Sequence, residues 1–193
     1  MDCDFLIIGS GIAGLSFALR AAQLGTVVVI TKKNEVDSAT NLAQGGIAAV
    51  LSKNDSAQDH VRDTIASGAG LCNEEIVTMV VKKGPERVRE LMAMGVDFVK
   101  NSYDSSGLDL GREGGHSRRR VAHAHDYTGR EIERALLEKV KQNSRIQILE
   151  NHRAIDLLVV KEEDGKGMNS PHCAGAYVLN EDGEVEAYRA RVT

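Results

Sequence analysis

The chain opens with Asp4-Phe5-Leu6-Ile7-Ile8, continues as Gly9-Ser10-Gly11-Ile12-Ala13-Gly14, and then shows a helical pattern from Leu15 to Leu24 that Gly25 closes. An apolar run, a glycine cluster and a periodic run in that order mark a strand, a tight turn and a helix. Thr26 to Thr31 reads Thr-Val-Val-Val-Ile-Thr, β-branched and unbroken, as expected of a parallel strand covered on both faces. The unit is βαβ, which commits the chain to an α/β, Rossmann-like fold with a parallel central sheet. Each glycine has its own reason to be there. Gly9 permits the turn, Gly11 lets a pyrophosphate reach the backbone, and Gly14 lets the helix pack closely on the strand. The helix N-terminus then favours phosphate charge. Such a glycine pattern is weak evidence alone, but between strand and helix it points to a dinucleotide.

The ribose-binding acid expected at the end of the second strand is missing, because Thr31-Lys32-Lys33 stands there, and simple NAD binding is disfavoured. Lys32 keeps two readings, an approach to a phosphate or the adenosine end, or a solvated lysine. Beyond it, Asn41 to Val50 carries Gly45-Gly46 and no clear strand. Three helices punctuated by Gly68, Gly84 and Gly95 are predicted next, with Asn73 as an N-cap and Pro85 at a first helical position. Thr128-Gly129-Arg130-Glu131 reads as a capping box, and Ile132, Leu136 and Val140 give the following helix one apolar face ending near Asn143. Ile146 to Leu149 is a further sheet strand. Ala154 to Val160, Cys173 to Asn180 and Val185 to Val192 form a three-stranded antiparallel meander, with Asp182-Gly183 as a hairpin turn.

Composition narrows the function classes. At 193 residues the length suits one compact domain, 1–193, and leaves little room for two. No apolar run approaches the roughly 20 residues that cross a bilayer, and the apolar start follows acids rather than a basic leader, so no membrane segment or secretory signal is expected. Cys3, Cys72 and Cys173 are far apart and odd in number, which disfavours a disulfide framework or a zinc site and makes a reducing cytoplasm the expected location. A net charge of −4 and 4% aromatics disfavour a nucleic-acid partner and favour a small molecule.

Three segments then carry a resemblance. The opening glycine motif, Ala43-Gln44-Gly45-Gly46-Ile47-Ala48-Ala49, and Arg112-Glu113-Gly114-Gly115-His116-Ser117, in this order, resemble the L-aspartate oxidase family. The Ala-Gln-Gly-Gly segment is shared with the flavoprotein subunits of succinate dehydrogenase and fumarate reductase. The Glu113 segment points to the aspartate branch, because the dicarboxylate branch typically carries an apolar residue there. The resemblance implies an FAD enzyme that oxidises L-aspartate to iminoaspartate, with oxygen or fumarate reoxidising the flavin, as the first step of de novo NAD synthesis. A functional link to quinolinate synthase follows from it. It also implies cofactor contacts. Gly9, Ser10, Gly11, Ile12, Ala13 and Gly14 meet the pyrophosphate turn, and Lys32 lies near the adenosine. Ala39, Thr40, Asn41, Leu42, Ala43, Gln44, Gly45 and Gly46 run along the ribityl and isoalloxazine, and Ala154 meets adenine through its backbone.

By residue type alone Glu113 is a surface-loop acid; the resemblance makes it the contact for the substrate ammonium group, a role that a carboxylate among glycines suits. His116, Arg118, Arg119 and Arg120 are suited to substrate carboxylates, but a basic run is more often a solvated face or an interface. His123 and His125 lack the further ligands zinc needs and are given a structural role. Where the dicarboxylate branch holds its flavin through a histidine, this chain has Ala39, so FAD is expected to be non-covalent. The expected last central strand, its Ala-Thr-Gly-Gly turn, the capping domain and the remaining carboxylate-binding residues would lie beyond Thr193. The chain alone is therefore expected to be inactive, with an unpaired edge along Asp4 to Ile8. Two other readings stand beside this one, a fumarate reductase or succinate dehydrogenase flavoprotein fragment, and a nucleotide-binding piece without chemistry.

Overall fold

The structure is a computed structural model that describes residues 1–163 and 169–193. Its elements in chain order are β1 (Asp2–Ile8), α1 (Ile12–Ala21), β2 (Val27–Ile30), β3 (Ile47–Ala48), α2 (Ala57–Ser67), α3 (Glu74–Ala93), β4 (Leu110–Gly111), β5 (Val121–Ala122), α4 (Thr128–Lys141), β6 (Ile146–Leu149), β7 (Arg153–Glu163), β8 (Asn169–Leu179) and β9 (Val185–Val192). The chain divides into two compact units, a sheet unit of residues 1–41 and 136–193 and a second unit of residues 42–135.

The sheet unit holds a six-stranded sheet in the order β6-β2-β1-β9-β8-β7. The predicted βαβ unit is present: β1 and β2 pair in parallel with Phe5 opposite Val27 and Ile8 opposite Ile30, and β2 pairs in parallel with β6. All of β2 is buried, which is why it reads as one apolar run rather than an alternating one. Its residues alternate between two apolar clusters. Val27 and Val29 join Ile7 and the α1 residues Ala18 and Ala21, while Val28 and Ile30 join Leu6, Ala176, Val178, Tyr188 and Ala190. Small alanines on α1 let the helix axis approach the sheet.

The meander is antiparallel as expected, β7 against β8 and β8 against β9, and Gly183 takes a positive φ of 82° in the hairpin turn. The predicted unpaired edge of β1 needs correction. Strand β9 lies beside it in parallel, with Asp2 opposite Arg189, Cys3 opposite Ala190 and Phe5 opposite Val192. The last meander strand therefore serves two neighbours, antiparallel to β8 on one side and parallel to β1 on the other.

In the second unit two helices replace the three expected over residues 57–93. Asn73 does cap α3, its side chain accepting from the Ile76 N–H at 3.1 Å. Gly84-Pro85, however, lies inside α3, which runs 20 residues without interruption. An interior proline costs about 3 kcal/mol, but buried Val81 before it and Val88 and Leu91 after it anchor one helical face on both sides. The stretch read as strandless also holds a three-stranded antiparallel sheet, β3-β5-β4, of two residues per strand.

Candidate functional site

In the sheet unit the glycine turn is closed by the Gly9 N–H, which donates to the Ile30 carbonyl at 2.9 Å, and Gly9 takes φ of +110°. A Cβ on Gly14 would stand 2.0 Å from the Gly9 carbonyl oxygen, so the contact between α1 and the end of β1 is backbone on backbone. Gly11 is the N-cap of α1 in extended conformation and offers no side-chain cap. Thr40 approaches instead: its hydroxyl accepts from the Ile12 N–H at 3.0 Å, which brings two predicted cofactor segments together at one helix N-terminus. The Ser10 side chain is buried, donating to the Glu35 carbonyl at 2.8 Å, so only its backbone is left for a ligand. Asn41 is fixed by its N–H to Ser38 Oγ and by its Nδ2 donating to the Val36 carbonyl at 2.6 Å. Lys32 and Ala39 are exposed. Ala154 lies in β7 opposite Val178, packed against the apolar cluster.

In the second unit the predicted flavin segment and Glu113 come together. A Cβ on Gly45 would lie 3.4 Å from Glu113 Oε1, and one on Gly46 would stand 2.4 Å from the Ala122 carbonyl oxygen. A Cβ on Gly45 would thus only touch the Glu113 carboxylate, whereas Gly46 is required for β3 to pass β5. The first turn of α4 holds this segment: the Gly129 N–H donates to the Ala43 carbonyl at 2.9 Å, and the Thr128 hydroxyl donates to the Gly45 carbonyl. Thr128 also accepts from the Ala124 N–H at 2.9 Å. This corrects the capping box. Thr128 is the first helical residue rather than the cap, and Glu131 accepts from the Asp97 N–H and pairs with Arg134. Leu42, Ala43 and Gln44 are exposed.

Glu113 itself is exposed on a turn closed by the His116 N–H donating to its carbonyl at 3.2 Å, with Gly115 at φ +85°. Behind that turn lies a buried ionic cluster that sequence reasoning missed. Arg120 is fully buried and grips Asp55 with two hydrogen bonds of 2.9 Å, Nε to Oδ2 and Nη2 to Oδ1, while its Nη1 donates to Asp63 Oδ2 at 2.8 Å. Burial alone would raise the Asp63 carboxyl, but the Ser117 hydroxyl, the Ser117 N–H and the Arg120 guanidinium outweigh it and hold it at about 2. His60 is pushed below its ordinary value by burial and by the Arg120 charge. Its ring meets that of His116 edge-on at 6.0 Å. Arg120 is thus internal, whereas Arg118 and Arg119 are exposed. The available signal was on α2, where His60, Asp63 and Ser67 recur at i, i+3 and i+7 and make one face polar. His123 pairs with Asp109 at 3.6 Å, and His125 packs against Tyr127.

A strand, a left-handed glycine and a helix N-terminus in contact define a dinucleotide-binding domain. The chain belongs to the FAD binding domain family, whose model matches residues 4–193, and FAD is its cofactor. The residues present fit that group: no side chain can stand at Gly14, Gly9 turns left-handed, and Gly11 leaves only backbone at the start of α1. Among curated relatives, the chain is 55% identical over 159 residues to L-aspartate oxidase 2-b, chloroplastic, of Nicotiana tabacum, covering 82% of this chain and 24% of that protein. It is 50% identical over 191 residues to L-aspartate oxidase, chloroplastic, of Arabidopsis thaliana, covering 98% and 28%. Among solved structures, it matches a FrdA variant of E. coli quinol fumarate reductase with a TM-score of 0.86 at 30% identity, over 100% of this chain and 32% of that one. The chain therefore spans about a quarter of the length of these curated relatives. No helix among the described residues is long and apolar enough to cross a membrane.

Proposed function

We propose that the chain is the flavin-binding part of an L-aspartate oxidase that converts L-aspartate to iminoaspartate, with oxygen or fumarate as electron acceptor. When bound, FAD supplies the two-electron acceptor. The observation that carries the reading is Glu113, an exposed carboxylate whose Oε1 lies where a Gly45 Cβ would be 3.4 Å away, on a turn that contains Gly114 and Gly115. In the sheet unit, the backbone of Ser10 to Ala13 is assigned to the pyrophosphate, Lys32 to the adenosine, Ala39 to Asn41 to the ribityl and isoalloxazine, and Ala154 to adenine. In the second unit, Leu42 to Gly46 are assigned to the ribityl and isoalloxazine and Glu113 to the substrate ammonium group. Ala39 carries no nucleophile, which supports a non-covalent flavin.

Residues 1–193 are proposed as part of one FAD-binding domain, the product as feeding NAD synthesis by way of quinolinate synthase, and a reducing compartment, the cytoplasm, as the location. Three free cysteines support the last point.

The test is Glu113→Gln in the full-length protein. It should weaken L-aspartate by about 1.5 to 3 kcal/mol, the scale of a hydrogen bond to a charged group, with succinate affected much less. Equal losses for both ligands would refute the amine contact. The match to fumarate reductase favours a second reading, a dicarboxylate flavoprotein, and under that reading succinate binding would respond to Glu113 as strongly as aspartate binding.

A further inference from the structure

We infer that Asp63 on α2, acting through Ser117 and Arg120, is a positioning residue that holds the Glu113 turn and so sets the preference for a dicarboxylate bearing an amine. The inference rests on Glu113 being the amine contact.

Glu113 is followed by two glycines, and a turn of that composition has no rigidity of its own, each freely rotating residue carrying about 1–2 kcal/mol of backbone entropy. Its geometry must come from its ends and from what lies behind it. At the base, the Arg120 N–H donates to the Gly111 carbonyl at 3.0 Å, and the Ala49 N–H donates to the Arg120 carbonyl at 2.9 Å. On the far side of the turn, one oxygen of Asp63 receives both the N–H and the hydroxyl of Ser117, each at 2.7 Å. The Arg112 Nε donates to the His116 carbonyl at 2.8 Å, closing the loop on itself.

The remaining contacts come from the same face of α2. A Cβ on Gly115 would stand 2.4 Å from Ser67 Oγ, so the turn lies directly on the helix. His60 presents its ring to His116 at an interplanar angle of 89°. Asp63 is therefore the hinge of the arrangement. It ties the exposed turn to a guanidinium that is itself fixed by two bonds to Asp55, with Arg120 and Asp55 side chains 0% and 1% exposed. A buried, hydrogen-bonded ionic cluster has few alternative geometries, and a support that places a binding group to within about half an ångström is what an exposed carboxylate needs to discriminate ligands.

The experiment uses the full-length, FAD-loaded protein and measures the dissociation constants of L-aspartate and succinate by calorimetry for wild type, Asp63→Asn, Glu113→Gln and the double variant. Losing the Glu113 contact outright costs about 1.5 to 3 kcal/mol, roughly 10- to 150-fold in the dissociation constant, which bounds what misplacing it can cost. Asp63→Asn should weaken L-aspartate by about tenfold or more while changing succinate by less than about threefold. The double variant should bind L-aspartate no more weakly than Glu113→Gln alone. Ser117→Thr, which keeps the hydroxyl, should retain the preference. Should Asp63→Asn fail to fold, Ser117→Ala, which leaves the Asp63 pair with Arg120 and the backbone bond intact, should show a smaller loss of the same sign. Equal losses for both ligands, or unchanged binding of both, in Asp63→Asn or Ser117→Ala would overturn the positioning role while a selective Glu113→Gln left the amine contact standing. A Glu113→Gln variant that lost both ligands equally would remove both.

Discussion

Gly14→Ala tests the backbone contact on which the dinucleotide turn is built. A carbon–oxygen contact needs about 3.3 Å, and the new Cβ would stand 2.0 Å from the Gly9 carbonyl oxygen, leaving a deficit of roughly 1.3 Å. Neither partner can rotate away, because one is a main-chain carbonyl at the end of β1 and the other a main-chain branch of α1. The helix must therefore lift from the sheet, loosening Ala18 and Ala21 from Ile7, Val27 and Val29. A radial gap of 0.5–1 Å already forfeits roughly a quarter to a half of the dispersion well. The expected cost is about 3 kcal/mol, the upper end of overpacking penalties, which for a chain of this size lowers the melting temperature by about 6–12 °C. The two neighbouring glycines are internal controls. Gly9→Ala finds no atom within 4 Å and suffers only its φ of +110°, at about 1–2 kcal/mol. Gly11→Ala meets only the Thr40 hydroxyl at 3.2 Å, a side chain able to move, and should cost less than about 1 kcal/mol in stability while weakening FAD more than that cost explains. Thermal unfolding followed by circular dichroism, with flavin fluorescence for binding, gives both readouts. A Gly14→Ala protein that melts with Gly11→Ala would refute the backbone contact.

Two further outcomes are expected. Protein purified with its flavin should release it on denaturation, because Ala39 offers no attachment atom; flavin retained on the unfolded chain would overturn that reading. Asp63 is held at about 2 in the folded chain against an ordinary value of 3.8, so its contribution to stability is present above about pH 4 and is lost as pH falls through about 2. Asp63→Asn should therefore flatten the denaturant midpoint over that acid window, and an unchanged slope would show that the Ser117 and Arg120 bonds do not hold the carboxylate.

The parts of the fold that were legible are those whose causes are local in sequence. The glycine turn, the buried β2, the Asn73 cap and the face of α4 each depend on residues within one turn or one strand. Strands β3, β4 and β5 escaped because two residues cannot show an alternation. Gly84-Pro85 reads as a break because propensity counts the lost hydrogen bond but not the buried Val81, Val88 and Leu91 that hold α3 on either side. Pairing of β9 with β1 joins residues nearly a chain length apart, Asp2 with Arg189, and no local pattern encodes it. At the site the glycines were readable and the supports were not. Thr128 matched a capping pattern but spends its hydroxyl on Gly45, and Arg120 looked like one member of a solvated basic run.

The burial of Arg120 carries an energetic cost. Charge runs are usually solvated because removing a guanidinium from water costs several kcal/mol, and a buried ion pair seldom returns more than it costs. Arg120 is nevertheless fully buried between two carboxylates that lie 65 and 57 residues away in sequence. An apolar cluster of the same volume would stabilise this unit as well or better, so stability alone does not account for the arrangement. What an apolar cluster cannot supply is direction: the five donors of a guanidinium fix both carboxylates, and Asp63 passes that fixity to both donors of Ser117, four residues from Glu113. The carboxylate at the tip is exposed and followed by two glycines, while the guanidinium behind the turn is dry and held by two carboxylates. Selectivity for an ammonium group over a methylene needs such a division, because an anion free to swing away from a ligand lacking the charge would reject it only weakly.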